Sequence, residues 1–142
     1  MLIGHLALAT AAAFAGAAIY VNIAEQPARL VLDDHAMLAQ WKRSYDSAAV
    51  MQASLALLSS VLGVLAFVLS HDWRWLLSAL VILAAWPWTL FVIMPVNREL
   101  KALPADAVQV ASRGLVERWG RLHAVRSACG VIATLVYLWA LN

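Results

Sequence analysis

The residues best suited to chemistry lie at the start of the last apolar segment. Trp119, His123 and Arg126 follow i, i+4, i+7 spacing, so on a helix all three side chains point the same way. Counting back from Leu141 over the roughly 20 residues that a helix needs to cross hydrocarbon places His123 and Arg126 inside a membrane span. Ionisable groups at that depth usually face the bundle interior or a watery cavity. We therefore expect any catalysis on this face.

Further polar residues should meet this face at the same end of the protein. They come from the other apolar segments and from the long connections: Asn22, Glu25, His35, Trp41, Tyr45 and Asn97. His123 is a candidate general base, since an ordinary imidazole titrates near neutral pH. Arg126 and Asn97 could stabilise an oxyanion that develops on a substrate. This interpretation assigns His123, Arg126 and Asn97 to catalysis.

The aromatic residues of this set predict what kind of substrate would bind. Trp119, Trp41 and Tyr45 would be walls against which a flat ring packs. Asn22 would bind the substrate beside them. A pocket at the level of the bilayer suits a lipophilic aromatic small molecule.

A metal centre is the alternative at the same place. Glu25, His35 and His123 could supply a carboxylate and two imidazoles, the ligand set of a non-haem iron or similar site. No H-x-x-x-H or E-x-x-H motif supports it, so the cofactor is either absent or a single non-haem metal ion. Structural roles are open as well. Arg126 could snorkel to the headgroups, and Glu25 could pair with Arg126 or with Arg29.

The elements that must position these residues follow from composition. With 64% hydrophobic residues and a mean hydropathy of +0.79, the 142-residue chain is far more apolar than a soluble domain. Four long stretches lack charged side chains except for Arg126, and they predict spans at about 2–24, 47–69, 75–96 and 122–141. The first stretch is too long for a signal peptide and has no leading basic residue. We predict one domain over residues 1–142, an all-α integral membrane four-helix bundle.

The basic residues are distributed unevenly between the two sides of the predicted bundle. One side has only Arg74, whereas the side with the long connections carries Arg29, Lys42, Arg43, Arg98, Lys101, Arg113, Arg118 and Arg121. By the positive-inside rule the long connections are cytoplasmic, and both termini lie outside the cell's inner (plasma) membrane. Acidic residues are interleaved with the basic ones, so we expect no binding of nucleic acid.

Local patterns predict how the helices begin and end. Pro27 should end the first helix, because a proline disfavours the helical conformation for the preceding Gln26. Asp33 or Asp34 should cap a second helix that runs from near His35 to near Leu69. A proline within a span also removes a backbone hydrogen bond, so the Trp86-Pro87-Trp88 sequence predicts a kink in the third helix.

Two surfaces are expected to be structural. Small residues on the first helix should let a neighbouring helix approach closely; they are Ala9, Ala12, Ala13, Gly16 and Ala17. On the last helix, Arg113, Glu117 and Arg121 follow i, i+4, i+8 spacing, which is typical of a solvated, salt-bridged face.

The order and spacing of several short motifs resemble a known family. They are Gly16-x-x-x-Tyr20, Glu25-Gln26-Pro27-Ala28, Trp41-x-x-x-Tyr45, Met94-Pro95-x-Asn97-x-x-Leu100 and Trp119-x-x-x-His123-x-x-Arg126. Over nearly the whole chain they are similar to the anthrone oxygenase-like family of small four-helix integral membrane proteins. The resemblance implies oxidation of an anthrone by dioxygen to an anthraquinone, which characterised members perform in polyketide pathways. His123 and Arg126 match the family motif and suit the roles of base and oxyanion stabiliser.

Two hypotheses about function follow. The first is an integral membrane oxygenase that acts on a flat, lipophilic anthrone- or phenol-like substrate at the cytoplasmic side. The alternative is a non-catalytic accessory subunit of a larger respiratory or photosynthetic membrane complex. In either case the lipid bilayer is a partner, and long apolar faces would suit a homo-oligomer or a larger complex.

Overall fold

The computed structural model describes residues 1–104 and 110–142, and side chains in the last helix from residue 112 onwards. These residues form four helices and no strand: α1 (Leu2–Leu30), α2 (Asp34–Ser70), α3 (Trp73–Ala102) and α4 (Val110–Ala140). Each helix is long and apolar enough to cross a membrane. The all-α architecture expected from the sequence is confirmed.

The helices begin and end where polar residues satisfy their terminal backbone groups. The Asp33 carboxylate accepts the Ala36 N–H at 3.0 Å, and the Asp72 carboxylate accepts the Arg74 N–H at 3.0 Å. Side-chain hydrogen bonds from Arg74 also lower the pKa of the Asp72 carboxyl. His71 closes α2 in the left-handed conformation, with a φ of 59°. The predicted course of the second helix is confirmed.

Proline does not end α1. An α-helical part (Leu2–Tyr20) leads into a π-helical turn (Val21–Glu25) and then into a further α-helical turn (Gln26–Leu30). Gln26 keeps helical angles, with φ −63° and ψ −49°, and its N–H bonds to the Val21 carbonyl. The prediction of a helix end at Pro27 is therefore wrong. A π turn already interrupts the regular hydrogen bonding, so the missing N–H of Pro27 costs little there.

The third helix also contains a π-helical turn followed by a proline, and its α-helical pattern has a further interruption. It consists of Trp73–Leu83, Ala85–Trp88, a π-helical turn at Thr89–Ile93, and Met94–Ala102. Pro95 follows this π turn as Pro27 follows the first. Pro87 lacks the N–H that would donate to the Leu83 carbonyl, and the α-helical pattern is interrupted at Ala84. The helical pattern is therefore interrupted three residues before Pro87, and the kink expected there stays a prediction.

The helices pack in chain order around the bundle. Each packs against the next one in sequence, and α4 packs back against α1. In the described residues the buried apolar side chains form two clusters. One cluster, at the end near both termini, includes Ala7, Phe14, Trp75, Ile82 and Tyr137. The other, at the end with the long connections, includes Met37, Trp41, Ile93, Leu100 and Trp119.

Two surfaces differ from expectation. The small-residue face of α1 is largely exposed, because α1 packs through the opposite face that contains Ala7, Ala11, Phe14 and Ala18. Arg113 does not belong to a solvated face. Its guanidinium binds the Asp34 carboxylate at 2.8 Å and the Leu30 carbonyl at 2.6 Å. It therefore ties α4 to the connection between α1 and α2, which its spacing along a single helix does not reveal.

Candidate active site

A small space among α1, α2 and α4, which we call the inner cavity, borders the apolar cluster that contains Trp41 and Trp119. Three helices supply its polar and aromatic lining: Glu25 and Arg29 from α1, Trp41, Tyr45 and Gln52 from α2, and Trp119, His123 and Arg126 from α4. Its volume of about 20 Å³ suits one water molecule or a diatomic gas. The convergence expected from the sequence is therefore present for most of the predicted residues.

One asparagine determines how His123 can act. The Asn22 amide nitrogen donates to the Gly120 carbonyl at 2.8 Å, so its oxygen faces His123 and Ser127. Ser127 Oγ donates to that oxygen at 2.8 Å, and His123 Nδ1 lies 2.9 Å from it. Because an amide oxygen only accepts, Nδ1 must carry the proton. The lone pair of the neutral imidazole is therefore on Nε2, which has no hydrogen bond within the described residues.

Asn22 reaches this position through the π turn of α1. The turn Val21–Glu25 carries both Asn22 and Glu25. A π turn inserts one extra residue and rotates the side chains that follow it. Asn22 was predicted to bind substrate, but its amide is occupied by Gly120, His123 and Ser127. It lies beside the imidazole, where it orients the His123 ring.

The aromatic residues form a continuous stack beside the imidazole. The Trp119 ring lies 4.9 Å from the His123 ring and meets Trp41 edge-on at 5.9 Å. Trp41 in turn stacks on Tyr45, with 4.9 Å between ring centroids and 16° between planes. In the described chain, the indole nitrogens of Trp41 and Trp119 are buried without a hydrogen-bond partner. The three aromatic side chains therefore lie side by side and present polar edges as well as ring faces, and their packing against a substrate stays a prediction.

Arg126 is buried and faces the bundle interior. Its exposed fraction is 7%, and its guanidinium carbon lies 5.8 Å from the centre of the Phe14 ring. Among the described residues it has no carboxylate partner, and its Nε has no hydrogen bond. Snorkelling to the headgroups does not describe this side chain. A buried cation without a counter-ion favours an anion at the site.

Asn97 has a different place from the one expected. It is 1% exposed and does not line the inner cavity. Its amide nitrogen donates to Tyr45 Oη at 2.7 Å and lies 4.0 Å from Met94 Sδ. The structure thus shows Asn97 hydrogen-bonded to Tyr45, and its role beside Arg126 at an oxyanion stays a prediction. It positions Tyr45, whose own O–H stays available to donate to a ligand.

The three residues predicted as metal ligands do not form a ligand set. Glu25 and His123 line the inner cavity, whereas His35 is exposed near the start of α2 and does not. Within residues 1–104 and 110–142, no three His, Cys, Asp or Glu side chains are close enough to hold a metal ion together. Glu25 instead pairs with Arg29 at 2.5 Å and accepts from Gln40 at 3.1 Å.

This ion pair leaves the site with one positive charge in excess. Arg29 is buried, and its guanidinium also lies 5.4 Å from the centre of the Trp119 ring. Its charge is compensated by Glu25, while the charge of Arg126 is not compensated by any described side chain. The site is therefore electropositive next to a neutral imidazole.

Gln52 is a site residue that the sequence interpretation missed. It is 2% exposed, it lines the inner cavity, and its side-chain oxygen is among the buried atoms of the described chain without a partner. Gln52 follows Tyr45 by seven residues, two helical turns along the same face. Gln52 is the only carboxamide in the uncharged stretch 47–69, and this is the signal by which it could have been found.

Comparison with known proteins identifies a family. The family whose description is anthrone oxygenase matches residues 41–136. That range contains Trp41, Tyr45, Gln52, Trp119, His123 and Arg126, whereas Asn22, Glu25 and Arg29 precede it. Neither the curated proteins nor the solved structures contain a match. Because the matched range covers more than half of its length, the chain belongs to the anthrone oxygenase family.

Proposed function

We propose that this protein is an integral membrane oxygenase that converts an anthrone- or phenol-like substrate to a quinone with dioxygen. Membership of the family supports an oxygenase-like role. The observation that supports the proposed reaction is that His123 and Arg126 line the same cavity. One side chain can remove a proton, and the other is a buried cation with no acidic partner in the described chain.

The first step is removal of a proton. His123 Nε2 takes a proton from the CH₂ group opposite the anthrone carbonyl, and the electron pair moves to the carbonyl oxygen as an enolate. The guanidinium of Arg126 and the hydroxyl of Tyr45 stabilise that oxyanion. Asn22 and Asn97 act indirectly, because they position the side chains of His123 and Tyr45 respectively.

The second step uses dioxygen as the oxidant. The enolate carbon bonds to dioxygen, and the proton on His123 passes to the outer oxygen, which gives a hydroperoxide. His123 then removes the remaining proton from the same carbon. The O–O bond breaks, the carbon becomes a carbonyl, and the departing hydroxide takes the proton to form water. The balance is CH₂ + O₂ → C=O + H₂O, with no other reductant required.

The test is turnover of an anthrone by the purified protein in lipid nanodiscs. Oxygen uptake and anthraquinone absorbance should rise together above the uncatalysed rate. His123→Ala should lower kcat by about 10²–10⁴-fold, and Arg126→Gln by about 10²–10³-fold. His5→Ala and Arg121→Gln, at exposed positions, are the matched controls and should keep wild-type turnover. Wild-type rates in both His123→Ala and Arg126→Gln would contradict the proposal.

A further inference from the structure

A second cavity, the lateral groove, opens between α2 and α3. Its volume is about 160 Å³, several times that of the inner cavity. Three alanines of α2 and one of α3 form part of its lining, and larger side chains of α3 complete it: Ala49, Ala53, Ala56, Ala85, Trp86, Thr89, Leu90 and Met94. Because the side chains of α2 are short here, the space that longer ones would fill stays open.

The lateral groove adjoins the inner cavity. Tyr45, Ala49 and Arg126 line both spaces. A ligand in the groove would therefore place one edge at Arg126 and Tyr45, within the same enclosure as His123. The inner cavity, with about 20 Å³, holds about one water-sized molecule. A fused ring system does not fit there, whereas dioxygen does.

The charge of the groove restricts its ligand. Arg126 is the one ionisable group with a permanent charge among the described residues that line it, and the rest of the lining is mostly apolar. The Nε atom of Arg126 is buried without a partner in the described chain. Such a lining disfavours sugars and phosphates, which need several hydrogen-bond partners. It favours a flat hydrocarbon ring system with one acidic oxygen within reach of Arg126.

The backbone of α3 is irregular along this groove. Trp86 lies between the interruption at Ala84 and Pro87, and Thr89 begins the π turn. Irregular helical backbone at membrane depth is tolerated where it lines a cavity or is buried in protein. The irregular stretch of α3 therefore coincides with the part of the helix that lines the groove.

We propose that the lateral groove is the substrate-binding subsite, which takes a fused aromatic ring system from the bilayer and holds its acidic oxygen against Arg126. The ring then lies between α2 and α3 with the face of its central ring toward the inner cavity, so that the oxygen meets Arg126 and the CH₂ carbon across the ring stays accessible to His123 and to dioxygen. Trp41 and Trp119 form the inner wall beyond it. Only the naming of this ligand as a substrate rests on the proposed oxygenase function.

The test measures binding of 1,8-dihydroxyanthraquinone to the protein in nanodiscs by quenching of tryptophan fluorescence. Ala53→Leu fills the slot and should weaken binding by about 10- to 200-fold, the range for a misfit of a few carbon atoms in an apolar pocket. Ala13→Leu, on the exposed face of α1, should bind as the wild type does. Equal affinity in Ala53→Leu and wild type would overturn the proposal.

A second variant covers the case in which Ala53→Leu does not fold. Ala53→Cys in a Cys129→Ala background keeps a small side chain and is labelled after purification with benzyl methanethiosulfonate. Bound 1,8-dihydroxyanthraquinone should slow labelling at position 53 and leave an Ala13→Cys control unaffected. Equal labelling rates at position 53 with and without the anthraquinone would reject the groove as the binding site.

The outcomes separate this inference from the proposed function. Binding that depends on position 53, in a protein that does not oxidise an anthrone, supports the groove and contradicts the oxygenase reaction. Wild-type turnover in Ala53→Leu supports the reaction and contradicts the groove. Arg126→Gln should also abolish the preference for the acidic anthraquinone over neutral anthracene, and an unchanged preference would remove Arg126 from the subsite.

Discussion

At the scale of single residues, the site depends on amides that orient other groups. The Asn22 oxygen accepts from Ser127 and from the His123 ring, and the Asn22 nitrogen donates to the Gly120 carbonyl. These three contacts leave one possible tautomer for the imidazole. Asn97 fixes the position of the Tyr45 hydroxyl, because its amide nitrogen donates to the hydroxyl oxygen. The side chains of His123 and Tyr45 are thus each held by a neighbouring asparagine.

Replacing Asn22 should reduce catalysis more than binding. Asn22→Leu keeps a similar volume but removes the acceptor that holds the proton on Nδ1, so His123 is free to adopt the inactive tautomer. We expect kcat to fall by more than tenfold, approaching the about 10²–10⁴-fold contribution of a general base, while KM changes little. Steady-state kinetics with an anthrone measures both values. A rise in KM at unchanged kcat would instead make Asn22 a substrate contact.

The Tyr45 hydroxyl can be tested separately from its ring. Tyr45→Phe keeps the stack on Trp41 and removes the O–H, so substrate affinity should be retained while kcat falls by about 10²–10³-fold. The change also leaves the amide nitrogen of Asn97 without its acceptor, which costs about 1–3 kcal/mol of folding free energy. Turnover and denaturant unfolding in detergent measure the two effects. Wild-type kcat in this variant would exclude the hydroxyl as an oxyanion donor.

At the scale of elements, π turns and glycines shape the site. The π turn of α1 supplies Asn22 and Glu25, and the π turn of α3 supplies part of the lateral groove. Gly130 allows α4 to approach α1 next to Phe14. An added Cβ there would lie 2.8 Å from Phe14 Cδ1 and 3.0 Å from Ala15 Cα. The backbone contact cannot be relieved by a change of rotamer.

Gly130→Ala should therefore destabilise the bundle. We expect a loss of about 1–3 kcal/mol, the usual cost of overpacking, measured as a lower midpoint in denaturant or thermal unfolding. Gly16→Ala is the matched control, because nothing in the described chain lies within 4 Å of a Cβ at that position. It should unfold at or slightly above the wild-type midpoint. Equal midpoints for Gly130→Ala and Gly16→Ala would contradict the close packing of α4 on α1.

At the scale of the whole molecule, the site borders the apolar cluster at the end with the long connections. That cluster and the cluster near the termini each include residues from all four helices. Trp41 and Trp119 belong to the former and also line the inner cavity, so the polar side chains meet against one wall of packed aromatic rings. Contacts such as Lys42 to the Leu103 carbonyl and Arg113 to the Leu30 carbonyl join the basic ends of the helices on one side.

Orientation in the membrane is a prediction at this scale. The basic residues of both long connections lie at one end of the bundle, so we expect that end to face the cytoplasm and both termini to face away from it. In a bacterial host, alkaline phosphatase fused after Asn142 should be active, and a fluorescent protein there should be dark. The same fluorescent protein fused after Pro104 should be bright. The reverse pattern would invert the proposed topology.

The sequence by itself determined the class of the protein and the candidates at its site. Long apolar stretches can satisfy their backbone in lipid only as helices, so four helices were predictable from composition. His123, Arg126, Trp41, Tyr45 and Trp119 stood out because ionisable and aromatic side chains are conspicuous in such a chain. The family motifs pointed to the same residues.

The tertiary structure decided which side chains contact each other and which are exposed. The pairing of Glu25 with Arg29, the hold of Asn97 on Tyr45 and the exposure of His35 depend on contacts or on helix rotation that residue spacing does not encode. The π turns were not predicted either. A proline in the sequence predicts a helix end, whereas in the structure the helix continues through a π turn. Periodicity within one helix predicts which side chains share a face of that helix. A site between helices also depends on how each helix is rotated about its axis and shifted along it relative to its neighbours.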